Sequence, residues 1–234
     1  MSLTQRVPVN RLLESMPTGD RRHMLARCDL VDLAFGEVVC AADAPIAHVF
    51  FPTTSFISLI MPIDDVDSLE VGLVGDEGMF GIPLVLGVDV SPVRAVVQGP
   101  GAAFRMGADV FRRELQRSAA LQRGIARYAF VQLSQLGQTA ACTRFHVVEA
   151  RLARWLLMTQ DRAHSSTFHI THEFLALMLG VRRAGVTMAA SALQRRSLIQ
   201  YTRGRITVLD RSGLKSASCG CYEADRHSYE RTLG

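Results

Sequence analysis

The chain has 234 residues, a formal net charge of +4, 48% hydrophobic and 21% charged residues. That size and balance describe a globular protein of one large or two modest domains with ample core, and exclude a disordered chain. No apolar run is long enough to span a bilayer, and residues 1–10 lack the apolar stretch of a signal peptide, so a cytoplasmic protein without a membrane partner is expected.

In chain order, residues 11–27 carry Leu12, Leu13, Met16 and Met24 among arginines, a short helical opening broken by Pro17. From about 30 to 106 the pattern changes to short apolar runs at 31–35, 38–40, 48–51, 56–61, 69–74, 93–98 and 102–106. Gly36 with Glu37, Asp64 with Asp65, Gly75 with Asp76, and Gly99-Pro100-Gly101 punctuate them. Short strands at this spacing predict a β sandwich or barrel. Residues 108–160 hold no proline and only two glycines, Gly124 and Gly137. A short helix is expected at 108–115 and a long one at 119–143. In the long one Ile125, Ala129, Leu133, Leu136 and Ala140 recur at steps of three and four, giving a narrow apolar stripe. The stripe is read as a dimer seam, with packing on the chain's own β domain as the alternative. A further amphipathic helix at 147–158 runs into a polar linker at 160–166.

The segment 171–210 carries the most information about function. Residues 172–179 have helical periodicity, with Leu175, Met178 and Leu179 on one face, and Thr171 is a good N-cap. Gly180 stops the helix as a residue free to take positive φ. A second helix is expected at 182–194, with Val186, Ala189 and Leu193 at helical spacing. Two short helices joined by three residues must cross steeply, and Ala176 is small where they meet: the steric pattern of a helix-turn-helix. Arg182, Arg183 and Thr187 fall on the outer face of the second helix and are the candidate base readers, since an arginine can contact guanine O6 and N7 together. Residues 201–209 then form two β runs around Arg203 and Gly204, a wing whose Arg203 and Arg205, with Thr171, are candidate phosphate contacts. From 144 to 211 there are eleven arginines against Glu149, Asp161, Glu173 and Asp210, a net charge of +7 on the half that holds the motif. An ordinary helical hairpin with solvated arginines is the plainer alternative.

A β-rich first half, a long helix and a winged helix-turn-helix together resemble the Crp/Fnr family of bacterial transcription regulators over residues 12–214. Segment 170–187 and the wing carry most of the likeness. His48-Val49-Phe50-Phe51-Pro52, Glu77-Gly78-Met79-Phe80-Gly81 and Arg94-Ala95-Val96-Val97 resemble its β-roll. The resemblance implies an α+β fold: a jelly-roll-like β-roll sensor domain (1–115), a long dimerisation helix and hinge (116–145), a winged helix-turn-helix (146–214) and a C-terminal tail (215–234). It implies a homodimer on a palindromic double-stranded DNA operator, with half-sites about 34–36 Å apart, and RNA polymerase as a further partner. It implies regulation, not catalysis.

The cyclic-nucleotide signature is missing. Family members that bind cyclic nucleotides have a glutamate after the glycine that matches Gly81, where this chain has Ile82, and a Ser or Thr after the arginine that matches Arg94, where it has Ala95. Gly81 and Arg94 remain the candidate effector residues, for a nucleotide or metabolite other than cyclic AMP. Ala184 and Met188 replace polar readers of the best-known members, so the operator should differ from theirs. Cys28 and Cys40 are too few for a four-thiolate cluster. The odd count of five cysteines argues against a disulfide framework. Cys219 and Cys221 read as a close pair in the tail without bound metal, because no third or fourth ligand is near them in sequence. Two other readings compete with this one. A cupin-like metal enzyme needs several histidines in the barrel, and His48 is the only one between 30 and 107. A protein-binding winged helix would not call for so many arginines.

Overall fold

The structure, a computed structural model, describes residues 9–63, 67–202 and 204–234. The elements, in order, are α1 (Arg11–Glu14), α2 (Thr18–Leu25), β1 (Asp29–Leu33), β2 (Val38–Cys40), β3 (His48–Pro52), β4 (Phe56–Ile63), β5 (Asp67–Val74), α3 (Ile82–Val85), β6 (Arg94–Gly99), β7 (Gly101–Gly107) and α4 (Ala108–Arg117). Then follow α5 (Ala119–Phe145), α6 (Val148–Ala163), β8 (Thr167–His169), α7 (His172–Leu179), α8 (Arg183–Arg195), β9 (Ile199–Thr202), β10 (Arg205–Val208), α9 (Arg211–Ala217) and α10 (Cys221–Leu233).

The first half is two antiparallel sheets, ordered β1-β7-β3 and β2-β6-β4-β5. They share a core of Leu33, Val49, Phe51 and Met106 from one sheet and Ile57, Val74, Ala95 and Val97 from the other. Successive side chains on a strand point to opposite faces. The back of the second sheet should therefore be polar if it met water. Instead Ile60 and Val96 on that sheet join a second core with Trp155, Leu156, Leu175, Val186 and Ile206. The sheet is a wall between two apolar cores, which accounts for strand runs without clean alternation.

Helix α5 starts on Ser118, whose hydroxyl accepts from the Leu121 amide at 3.1 Å. Its first half buries Leu121, Ile125, Tyr128 and Val131. Ile125 thus belongs to the β domain's core and not to a seam. The large apolar residues left exposed are Phe130 (55%), Leu133 (66%), Leu136 (41%) and, at the helix end, Phe145 (78%), with Ala140 also exposed. The expected stripe is corrected at its start: Ile125 leaves it and Phe130 enters. Along another side of α5 lies α10, where the Ser228 and Ser134 hydroxyls meet at 3.2 Å.

His146 (φ −113°, ψ 144°) and Val147 (φ −67°, ψ 155°), both extended, join α5 to α6. Helix α6 runs past the expected stop at 158 to Ala163. The polar residues there are held in place: Asp161 accepts from Arg211 and from the Tyr222 hydroxyl, and Arg162 pairs with Glu77 at 2.6 Å in a buried contact. The linker expected at 160–166 is correspondingly shorter, and it leads into a strand, β8, that its serines hide. Among the described residues no single helix is long and apolar enough to cross a membrane.

Candidate nucleic-acid interface

Helix α7 is capped by Thr171, whose hydroxyl accepts from the Phe174 amide at 3.1 Å. It ends on Gly180 in the left-handed region (φ +59°, ψ 47°). The positive φ favours glycine there, and a Cβ would also press on Leu69 Cδ1 of β5 at 2.9 Å, a side-chain end that can shift. The Val181 amide donates to the Ala176 carbonyl at 3.0 Å, closing the turn. Helices α7 and α8 then cross at 107°, within the range of a helix-turn-helix. Leu175, Met178 and Leu179 from α7 and Val186, Ala189, Ala190 and Leu193 from α8 are buried.

That packing leaves the opposite face of α8 bare. Arg182, Arg183, Ala184, Thr187 and Met188 are all exposed, Met188 by 73%. Arg182 occupies the N-cap and not the first helical turn. The Thr187 hydroxyl donates to the Arg183 carbonyl and meets His172 Nδ1, both at 3.1 Å. The His172 ring stacks on Tyr201 of β9, with centroids 4.1 Å apart. His172 therefore joins the start of α7, the outer face of α8 and the wing. Sequence reasoning missed it, because a lone histidine in a helix's first turn reads as a surface residue and Tyr201 is distant in sequence. Burial, then the nearby Arg183 charge, lowers its pKa below the ordinary value.

The wing has three strands, ordered β8-β10-β9, one more than expected. Arg205 opens the central strand, opposite Thr202 and His169, and is exposed. Gly204 makes the turn at φ +77°, and Arg203 lies outside the described residues.

The arginines of 144–211 divide into two sets. Arg154 pairs with Asp225 at 2.6 Å, Arg162 with Glu77, and Arg151 donates to the Leu179 carbonyl; all three are buried. Arg196 and Arg211 pair with Glu149 and Asp161. Arg182, Arg183, Arg195 and Arg205 have no carboxylate partner among the described residues. The excess of +7 overstates the free charge: Arg144, stacked over Phe145 at the end of α5, also has no carboxylate partner among the described residues, and the rest of what is free lies on α8 and the wing.

The effector candidates are further apart in role. Gly81 (φ +112°) starts α3, and a Cβ there would lie 2.6 Å from Val49 Cγ1. It adjoins β3 through the Phe80–Phe50 bridge. Arg94 is an exposed residue at the start of β6, in the other sheet. The structure shows no contact that joins them.

The tail cysteines are not isolated. Because α10 folds back along α5, Cys219 and Cys221 meet Cys142 and His146, and the four donor atoms lie within 4.8 Å of one another. Cys142 and His146 lie more than seventy residues upstream of that pair, out of reach of a reading confined to sequence neighbours.

Residues 150–217 match the family described as the Crp-like helix-turn-helix domain. The chain carries that domain on a Crp/Fnr fold. A Crp/Fnr-family regulator from Eubacterium rectale has 16% identity and a TM-score of 0.68, over 88% of this chain and 96% of its own. FixK2 from Bradyrhizobium japonicum has 13% identity and a TM-score of 0.69, over 82% and 98%. The c-di-GMP responsive global regulator CLP from Xanthomonas campestris has 16% identity and a TM-score of 0.67, over 82% and 99%. No curated protein matches the sequence. The chain lacks the Crp/Fnr cyclic-nucleotide signature at Ile82 and Ala95.

Proposed function

We propose that this protein is a homodimeric, sequence-specific DNA-binding transcription regulator. The observation that carries it is the 107° helix pair with its arginine-bearing outer face exposed and unpaired. Arg182 and Arg183 read bases in the major groove, with Thr187 beside them. Thr171, Arg203 and Arg205 hold phosphates and set the register of the module on the duplex. The exposed Phe130, Leu133, Leu136 and Ala140 of α5 supply the seam between two copies. The β domain biases the arrangement of the two reading heads, through a nucleotide or metabolite other than cyclic AMP, with Gly81 and Arg94 as candidate contacts. A ligand does this only by binding one arrangement better than the other. RNA polymerase is the remaining partner of this reading.

The test is selection of bound fragments from a random duplex pool, with and without small-molecule extract. A palindrome with half-sites about one helical turn apart is expected. In the Arg183→Ala protein, preference should relax at one position per half-site, at a cost of about 1–3 kcal/mol. Arg205→Ala should weaken all sequences alike and reduce the salt slope by about 1. No enrichment at low ionic strength overturns the reading.

A further inference from the structure

At the end of α5, Cys142 lies in the last turn and His146 is the extended residue that closes the helix, its amide donating to the Cys142 carbonyl at 3.1 Å. At the start of α10, Cys219 and Cys221 flank Gly220, the N-cap. Cys142 Sγ and Cys219 Sγ are 3.5 Å apart, as are Cys221 Sγ and His146 Nδ1. We propose that these four side chains form a mononuclear site for a thiophilic divalent cation of the zinc class, fastening α10 to the helix end where the β domain gives way to the DNA-reading module.

The distances carry the assignment. Metal–sulfur bonds of about 2.3 Å and metal–nitrogen bonds of about 2.0–2.1 Å give tetrahedral edges of about 3.5–3.8 Å. Two opposite edges already have that length, and no pair of donors exceeds 4.8 Å. An iron–sulfur cluster holds its thiolates around an inorganic core, for which four donors this close leave no room. Three sulfurs and one imidazole suit zinc and exclude magnesium or calcium, which take oxygen ligands. The surroundings suit bound thiolate as well. The Gln138 side-chain amide donates to Cys221 Sγ at 2.9 Å, an outer contact of the kind that orients metal ligands. The three cysteines are buried while His146 is exposed, which gives the ion an entry side. Binding displaces the three thiol protons and leaves the imidazole neutral, so the bound centre carries one negative charge.

The site uses none of the residues proposed to touch DNA, so its test can fail without touching that reading. Reduced, chelator-stripped full-length protein is titrated with Co²⁺. One equivalent should produce the thiolate-to-cobalt charge-transfer band and the intense visible bands of tetrahedral cobalt, and Zn²⁺ should bleach both. Cys219→Ser and Cys142→Ser should each weaken binding at least about tenfold, while Cys28→Ser, outside the cluster, should not. His146 is exposed, so His146→Ala should fold as the parent does by circular dichroism and still bind at least about tenfold less tightly. Absence of a thiolate band at one equivalent, or an unchanged band in His146→Ala and Cys219→Ser, would overturn the proposal. So would a Cys142–Cys219 disulfide that forms equally with and without Zn²⁺ under air.

Discussion

His172 gives a measurable handle on the reading head at the level of a single side chain. The Thr187 hydroxyl spends its proton on the Arg183 carbonyl, so His172 must donate from Nδ1 to that oxygen. The neutral Nδ1–H ring and the imidazolium can both make that bond, and the lowered pKa favours the neutral form of the ring that stacks on Tyr201. A depressed histidine contributes stability that is complete above its ordinary value of 6.5 and fades as pH falls through the folded value. His172→Phe should keep the stack and lose the hydrogen bond; His172→Ala should lose both. The second variant should therefore be the less stable by about 0.5–1.5 kcal/mol in urea unfolding, and its operator affinity should fall further. Thr171 and Gly180 were legible in sequence because capping and turning each demand a residue type at a fixed offset, and the exposure of Arg182 and Arg183 followed from the helical spacing of Val186, Ala189 and Leu193. His172 was not, because its role depends on a ring that arrives from another strand.

Among the elements, the contact between β5 and α6 carries a titratable group. Glu70 is buried on β5, where its carboxylate accepts from the Trp155 indole at 2.7 Å and the Ser58 hydroxyl at 2.5 Å. Burial raises its pKa from 4.5 to about 7, against the opposing pull of Ser58, Trp155, Arg162 and Arg154. The folded state holds this proton more tightly than the unfolded chain. Stability from Glu70 is therefore complete below 4.5 and lost as pH rises through about 7. The loss is on the order of 3 kcal/mol. Glu70→Gln should flatten that slope and be the more stable protein at pH 8. Trp155 is the single tryptophan, so its fluorescence should titrate with a midpoint near 7 in the parent and stay flat in Glu70→Gln. The strands β1 to β7 were readable from their punctuation. The strand β8 and the last turn of α6 were not, because what orders them is distant: β10 in one case, Glu77 and Arg211 in the other.

For the molecule as a whole, the exposed face of α5 predicts an assembly. Phe130 and Leu133 are exposed large apolar groups on one helix, and exposed apolar patches of this kind mark interfaces. Leu133→Glu should place two negative charges at the seam of a dimer and yield monomers in sedimentation, with operator affinity lost although each reading head is intact. The order of domains was visible in the sequence as a change of periodicity. Which face of α5 meets its own core was not, since small and large apolar residues alternate all round that helix and only the position of the sheets and α10 decides between them.

The joint at His146 and Val147 has a further consequence. Val147 already has the φ of a prolyl ring, −67°, and His146 before it sits in the extended region that a following proline demands. The Val147 amide donates no hydrogen bond among the described residues. Val147→Pro should then be accepted without distortion and raise stability by about 0.4–1 kcal/mol. Such a protein would have its swivel locked at one torsion, and any response that needs the two halves to turn about this point should become sluggish or vanish while the grip on DNA persists.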